Sequence, residues 1–316
     1  MRCVILDDYQ GVATSYADWS VLPGVEVTAL REHLTDEADL AAAIGDAQAL
    51  VVMRERTPVT ASLLDRLPGL GLVVTSGMRN AAIDLEACRG RGLTVCGTAS
   101  ASTPPGELTW ALILGLVRHL VPESTAMATG GRWQSTVGRD LAGATLGLVG
   151  LGRIGTRVAA VGAAFGMDVL AWSPHLTAQR AGDGGARLAP SLAALLGESD
   201  VVSLHLVLSD STRGLIGRAE LAAMRPTSYL VNTSRAGLVD TEALVEALRE
   251  GRLAGAGLDV YDEEPLPADH PLRRLPTVLG TPHLGYVSEG NYRRYYTEAV
   301  QDVAAWLAGS PVRELT

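Results

Sequence analysis

The stretch that most constrains what this chain can fold into is ATLGLVGLGRIGTRVAAVGAAFGMDVLAW, residues 144–172. An apolar run over 146–149 stops at Gly150-Leu151-Gly152-Arg153-Ile154-Gly155, and the helical spacing of Ile154, Val158, Val161 and Phe165 then takes over before a second apolar run ends at Trp172. That is one strand–helix–strand unit. Gly150 permits a sharp turn, Gly152 lets the backbone approach a pyrophosphate, and Gly155 lets the helix lie close to the strand. The helix start adds unpaired N–H groups and a partial positive charge suited to phosphates. Three spaced glycines alone occur by chance. With strand and helix both in place, the motif predicts dinucleotide binding by Gly150, Gly152, Arg153, Ile154 and Gly155.

The flanking pattern extends this to a class. Apolar runs at 3–8, 25–30, 49–53, 70–76 and 93–97 alternate with helical segments near 36–44 and 60–68, which predicts a parallel sheet in a first α/β block. After the glycine turn, runs at 200–207, 228–234, 255–260 and 277–283 alternate with helices near 191–196, 218–224 and 240–250, completing a doubly wound sheet. Between the two blocks, 104–121 reads as one helix, apolar all round and so buried between domains or subunits. A last helix over 291–309 has an apolar face and is expected to pack back on the first block.

Charge and cysteine content exclude several function classes. A formal net charge of −9 gives no basic face for DNA or an anionic membrane, so neither is expected as a partner. The three cysteines, Cys3, Cys88 and Cys96, form no CxxC pair, which predicts buried thiols in a reducing compartment and no metal site. MRCVILDD starts directly as a strand, with no secretory segment before it, and no apolar stretch is long enough to span a bilayer. A cytoplasmic protein is expected.

In an open α/β sheet, ligands bind beyond the carboxyl ends of the strands. Arg235 follows YLVNTS, Glu264 lies just past LDVYDE, and His283 ends LGTPH. Singly, each is an ordinary loop residue. Together they fall at one edge of a dinucleotide-binding sheet.

The blocks GLVGLGRIG, LVNTSRAGLVDTEALVEALREGRLAGAGLDVYDEEPL and HPLRRLPTVLGTPHLG resemble the signatures of the D-isomer-specific 2-hydroxyacid dehydrogenase family. The similarity covers essentially the whole chain, including RTPVTASLLDRLPGL and GMRNAAIDLEACRGRGLTV. It implies two Rossmann-like domains: an NAD(P)-binding domain over 99–287 and a flavodoxin-like substrate domain split between 1–98 and 288–316, with a cleft between them. It also implies an oxidoreductase acting on a D-2-hydroxy acid or 2-oxo acid, phosphoglycerate dehydrogenase-like, with Arg235, Glu264 and His283 catalytic. Asp259 would accept from the nicotinamide carboxamide, and Trp172, Ser173, His175 and Thr233 join the cofactor-binding set. The loop TSGMRN corresponds to the family's substrate-carboxylate loop, giving Ser76, Gly77 and Met78 as donors. Arg54 aligns with a phosphate-meeting position, and with Arg79 suggests an anionic substrate. A twofold dimer through the nucleotide domain is implied too, in line with the apolar segment at 104–121.

The chemistry requires such residues. Hydride transfer to a 2-oxo acid leaves an alkoxide needing a proton, which an imidazole can give near neutral pH. A carboxylate beside that ring favours the imidazolium and fixes its orientation. Forked arginine donors suit the substrate carboxylate.

One departure bears on the coenzyme. Relatives preferring NAD usually carry an aspartate at the end of the second strand, where this chain has Ser173. Without that carboxylate a 2′-phosphate is not repelled, and His175, Thr177 and Arg180 are placed to contact one. NAD or NADP both remain, with Ser173 favouring NADP. Two other readings are a nucleotide-sensing corepressor and formate dehydrogenase. Glu264 argues against the second, which uses an amide at that position.

Overall fold

Alternating apolar runs and capped helical segments build two separate parallel sheets in the computed structural model, which describes residues 1–315. The chain divides into one unit made of Met1–Ala101 with the segment from Ser288 onward, and a second made of Ser102–Val287.

In the first unit, β1 (Arg2–Ile5), β2 (Glu26–Ala29), β3 (Ala49–Val52), β4 (Leu72–Thr75) and β5 (Thr94–Gly97) are all parallel in the order β2-β1-β3-β4-β5. ALVV and LVVT, on β3 and β4, are buried throughout, as strands covered on both faces must be. Four helices follow strands here: α1 (Ala13–Tyr16), α2 (Glu37–Ile44), α3 (Ala61–Asp65) and α4 (Leu85–Gly90). The side chains of Asp36, Thr60 and Asp84 cap the last three by accepting from their first-turn N–H groups. The C-terminal helix α12 (Glu289–Leu307), capped by Ser288, buries Tyr292, Tyr295, Tyr296 and Val303 and packs against β4, β5 and α1.

Beyond α12 the chain pairs with the edge of β5: Leu315 N–H donates to Val95 O at 2.7 Å and Gly97 N–H to Arg313 O at 3.0 Å. Arg313 holds this segment to α12 through Asp302 Oδ1, 3.0 Å from Nε. Asp302 Oδ2 is buried with no partner among the described residues. Burial pushes this carboxyl up to about 7, against the pull of the Arg313 charge. Its proton is therefore bound more tightly in the folded chain. The stability it lends is complete below the ordinary aspartate range and is lost as pH rises from there through about 7. Each tenfold change in proton affinity is worth roughly 1.4 kcal/mol, so between about pH 4 and pH 8 the wild type should lose at most about 4 kcal/mol relative to Asp302→Asn. Urea melts of the two proteins check this, and parallel stability–pH curves would contradict it.

The second unit carries β6 (Thr145–Val149), β7 (Asp168–Trp172), β8 (Arg187–Leu188), β9 (Val201–Leu204), β10 (Tyr229–Asn232), β11 (Gly255–Leu258) and β12 (Val278–Gly280), all parallel in the order β12-β11-β10-β9-β6-β7-β8. Helices α5 (Thr103–Val117) and α7 (Arg153–Ala164) pack on one face. The other is covered by α9 (Leu192–Glu198), α10 (Arg218–Ala223) and α11 (Thr241–Arg249). Two further helices, α6 (Leu120–Ala128) and α8 (Ala178–Asp183), complete the unit.

Two sequence expectations need correction. The segment 104–121 is not one helix: α5 ends at Val117, His119 takes φ +51°, and α6 starts anew at Leu120. The cause is Pro122, which has no N–H and whose ring would strike the carbonyl four residues back, at Arg118. Nor does α5 need another domain to bury it, because it packs on β10, β11, β12 and α7 of its own unit. Gly257 makes this close approach possible, since a Cβ there would lie 3.2 Å from Leu112 and Leu116. Several strands also stop two or three residues before their apolar runs do. β12 covers Val278–Gly280 where the run suggested 277–283, and β1 ends at Ile5 ahead of Asp7 at φ +56°. The backbone leaves the ladder at the carboxyl ends, just ahead of polar residues such as Asp7, Asp259 and His283.

Candidate active site

The glycine turn is built as the motif requires. Gly150 has φ +105°, and a Cβ there would lie 2.7 Å from the His205 carbonyl, so no other residue fits. A Cβ on Gly155 would meet Gly150 O at 2.3 Å, which keeps α7 tight on the turn. Around Gly152, the N-cap of α7, the same test finds open space within 4 Å. No side chain caps α7 and no acidic residue lies in its first turn, so its N–H groups and the positive end of its dipole face that space, flanked by Arg153 and Ile154. These residues fit a dinucleotide pyrophosphate. His205 was not singled out from the sequence, yet it backs this turn. Its Nε2 lies 2.9 Å from Ser203 Oγ, and burial drops its pKa to about 4, so it brings no charge to the phosphate region.

At the end of β7, Trp172 O accepts from Gly150 N–H at 2.8 Å, tying the second strand to the turn. Ser173 is half-buried, and His175, Thr177 and Arg180 are exposed. Two of the three already have internal contacts. Thr177 Oγ1 caps α8 by accepting from Arg180 N–H, and Arg180 Nη1 donates to His175 O at 3.3 Å.

The polar cluster lies at the carboxyl ends of β10, β11 and β12, three neighbours in the sheet. His283 Nδ1 is 2.6 Å from Glu264 Oε2. Glu264 is itself held at its other oxygen, Oε1, by the Tyr261 N–H at 2.9 Å. Arg235 leads out of β10, its carbonyl fixed by the Asn232 amide at 2.9 Å and its Nη1 donating to Ser234 O at 2.8 Å. Thr233 shares a hydroxyl contact with Thr109 of α5 at 2.7 Å.

Asp259 is fully buried and gathers the whole His283 segment. Its Oδ1 accepts from Thr281 Oγ1 at 2.6 Å and Leu284 N–H at 2.7 Å, and its Oδ2 from Gly285 N–H at 2.8 Å. Donors on both sides of His283 thus converge on one carboxylate, which holds the intervening residue at φ +54°. Burial raises the Asp259 carboxyl while these hydrogen bonds pull it back. Thr281 is the residue sequence reasoning missed here. Its only signal was its place two residues before the histidine.

The candidate substrate residues of the first unit cluster at the carboxyl ends of β3 and β4. Arg54, at φ +54°, donates its N–H to Ser76 Oγ at 2.9 Å and its Nη1 to Ser76 O at 3.2 Å, and lies 3.6 Å from Glu55. Gly77 has φ +93°, and a Cβ on it would meet Arg54 Nη1 at 1.9 Å. Ser76 and Gly77 already use their N–H groups, on Val52 O at 3.1 Å and Thr98 Oγ1 at 3.0 Å. Met78 and Arg79 are exposed. Asn80, also missed, braces the loop by donating to Arg54 O at 2.6 Å and Thr75 Oγ1 at 2.9 Å. Among the described residues, no group of three or more His, Cys, Asp or Glu is arranged to hold a metal ion.

The family profile described as "D-isomer specific 2-hydroxyacid dehydrogenase, NAD binding domain" matches residues 110–285. A glyoxylate reductase of Aeropyrum pernix is 39% identical over 260 residues, spanning 79% of this chain and 77% of that one. This chain belongs to the D-isomer specific 2-hydroxyacid dehydrogenase family. Its two-domain α/β fold is that of the family: the crystal structure of a phosphoglycerate oxidoreductase from Vibrio cholerae O395 aligns with TM-score 0.93 at 40% identity, over 98% of this chain and 100% of that one. A D-3-phosphoglycerate dehydrogenase of Methanocaldococcus jannaschii is 37% identical over 279 residues, 87% of this chain but 52% of that protein, so the chain spans about half the length of that relative. As a 2-hydroxyacid dehydrogenase family member with a nicotinamide-nucleotide domain, the chain is not favoured as a corepressor or a formate dehydrogenase.

Proposed function

We propose that this chain reduces a 2-oxo acid to a D-2-hydroxy acid, with Arg235, Glu264 and His283 as its catalytic residues. The observation supporting this most directly is the 2.6 Å contact between His283 and Glu264 at the edge of the nucleotide-binding sheet. A bound nicotinamide supplies the hydride. With Nδ1 committed to Glu264, His283 has Nε2 left to give the proton to the keto oxygen, and the carboxylate keeps the ring oriented. Arg235 holds the substrate carboxylate and polarises the carbonyl. Asp259 fixes the backbone that carries His283 and keeps acceptor capacity toward the carboxamide.

The substrate class we favour carries a second anionic group, because Arg54 and Arg79 belong to the loops at the carboxyl ends of β3 and β4. Ser76, Gly77 and Met78 form the backbone of the carboxylate loop, with Met78 the exposed member. A panel of 2-oxo acids with and without a distal phosphate, sulfonate or carboxylate, assayed with NADH and NADPH, tests both readings. Absence of turnover with every 2-oxo acid would overturn the assignment.

For the coenzyme we favour NADP, because Ser173 offers no carboxylate to repel a 2′-phosphate, while His175 stands exposed beside it. Ser173→Asp should then shift the kcat/KM ratio toward NADH by about tenfold or more, the scale of one lost or gained charged contact. A wild type already strongly selective for NADH, with a ratio the substitution leaves unchanged, would show that the ribose is read elsewhere.

A homodimer and a cytoplasmic location complete the proposal. The dimer reading now rests on exposed apolar side chains after the α5–α6 break: Leu120 at 54% and Met127 at 65%, then Trp133 at 76% and Val137 at 93%. Sedimentation at micromolar concentration should give twice the 33.1 kDa chain mass, and a single monomeric species would count against it. The location is supported by three buried, unpaired cysteines, and no helix among the described residues is long and apolar enough to cross a membrane.

A further inference from the structure

A cavity of about 160 Å³ lies in the second unit on the α11 side of the sheet edge. Val239, Leu244, Leu258, Val260, Leu266 and Leu272 supply much of its apolar wall, and none of Arg235, Glu264 or His283 lines it. Apart from the exposed Glu263, its polar lining is largely engaged within the wall. Thr241 Oγ1 donates to Asp262 at 2.5 Å, and the Tyr261 hydroxyl to Leu258 O at 3.0 Å. The Asn232 amide donates to Arg235 O and accepts from Ser234 N–H, and His270 Nδ1 accepts from Leu272 N–H at 3.3 Å. A water needs two to four polar partners to be held, and a space whose polar groups are turned to one another offers few. An apolar cavity of about 150 Å³ accommodates a benzene ring. Size and chemistry therefore select the same occupant, a compact neutral ring.

Two walls of this cavity lead directly to the catalytic side chains. The segment of Tyr261, Asp262 and Glu263 closes one side, and it is the Tyr261 N–H that holds Glu264 Oε1, while Glu264 Oε2 meets His283. On another side stand Asn232 and Ala236, and the Asn232 amide fixes the Arg235 carbonyl. An occupant pressing on the wall shifts both anchors together without touching the reacting groups. We propose that this cavity binds a small neutral aromatic molecule, and that its occupancy sets the catalytic rate through Glu264 and Arg235 without competing with coenzyme or 2-oxo acid.

Benzene is the probe, and the full chain is labelled at Leu and Val methyls for NMR. The expected result is saturable shifts of the Leu244, Leu258, Val260 and Leu272 methyls, with kcat changing at least twofold and both KM values unmoved. Benzoate, the same ring carrying a charge, should leave those methyls in place. Leu244→Phe fills the cavity from α11 and should abolish both the shifts and the kcat response. Leu266→Phe, from the half-buried side, gives the same reading should the first variant fold poorly. Methyl shifts that do not saturate, persist in the filled variant or occur equally with benzoate would overturn the site. Saturable binding that leaves kcat unchanged, or raises KM instead, would overturn its coupling to catalysis. The methyl readout needs no turnover, so it stands apart from the choice of substrate.

Discussion

Replacing His283 by alanine is expected to lower kcat for reduction of a 2-oxo acid by about 10²–10⁴-fold at every pH, the usual span of acid–base catalysis. Glu264→Gln should act differently, because it keeps the shape of the 2.6 Å contact and removes only its charge. Losing the charged partner of a proton-donating ring should lower kcat by about tenfold, well short of the alanine loss. Steady-state kcat of the two variants is the measurement, and a Gln variant with wild-type kcat would uncouple Glu264 from the catalytic proton.

The second large effect is expected at Arg235. Arg235→Ala should cost roughly 3–4 kcal/mol of transition-state binding, because a charge-assisted contact to the substrate is lost as charge develops on the keto oxygen. That is a loss of about 10²–10³-fold in kcat/KM for every 2-oxo acid. Arg235→Lys should recover little, since an ammonium cannot reproduce the planar fork. Arg54→Ala, by contrast, should affect only substrates with a second negative group. Equal losses for pyruvate and for a phosphorylated 2-oxo acid would contradict that division of labour.

The parts of this site legible in the sequence are those whose constraints are local. The glycine turn is one, because φ +105° at Gly150 and the close approach of Gly155 to the Gly150 carbonyl are both met within six residues. Arg235, Glu264 and His283 were legible as positions past the ends of apolar runs. What the sequence hid are contacts closed by the fold. Asp259 meets Thr281, Leu284 and Gly285 more than twenty residues on, and Thr98 takes the Gly77 N–H across neighbouring strands. The α5–α6 break was within reach, since Pro122 sits in the run, but the apolar residues on both sides masked it. Short elements such as β8 and α8 carry too little periodicity to stand out.

The crossing of the chain at 101/102 and again at 287/288 makes the second unit an insertion within the first. On a ribosome this becomes a matter of timing. The strands β1 to β5 are complete once Gly97 has emerged, yet the helix that covers β4 and β5 begins only at Glu289. At ordinary synthesis rates the nearly two hundred residues between take about 10–40 s. For that interval the nascent sheet lacks Tyr295, Tyr296 and Val303 on one face, while the inserted unit has all its strands in hand and can fold first. The late segment then acts as a closing piece. A circular permutant that begins at Ser288 and joins the present ends would deliver that helix ahead of its sheet, turning the last step of assembly into the first.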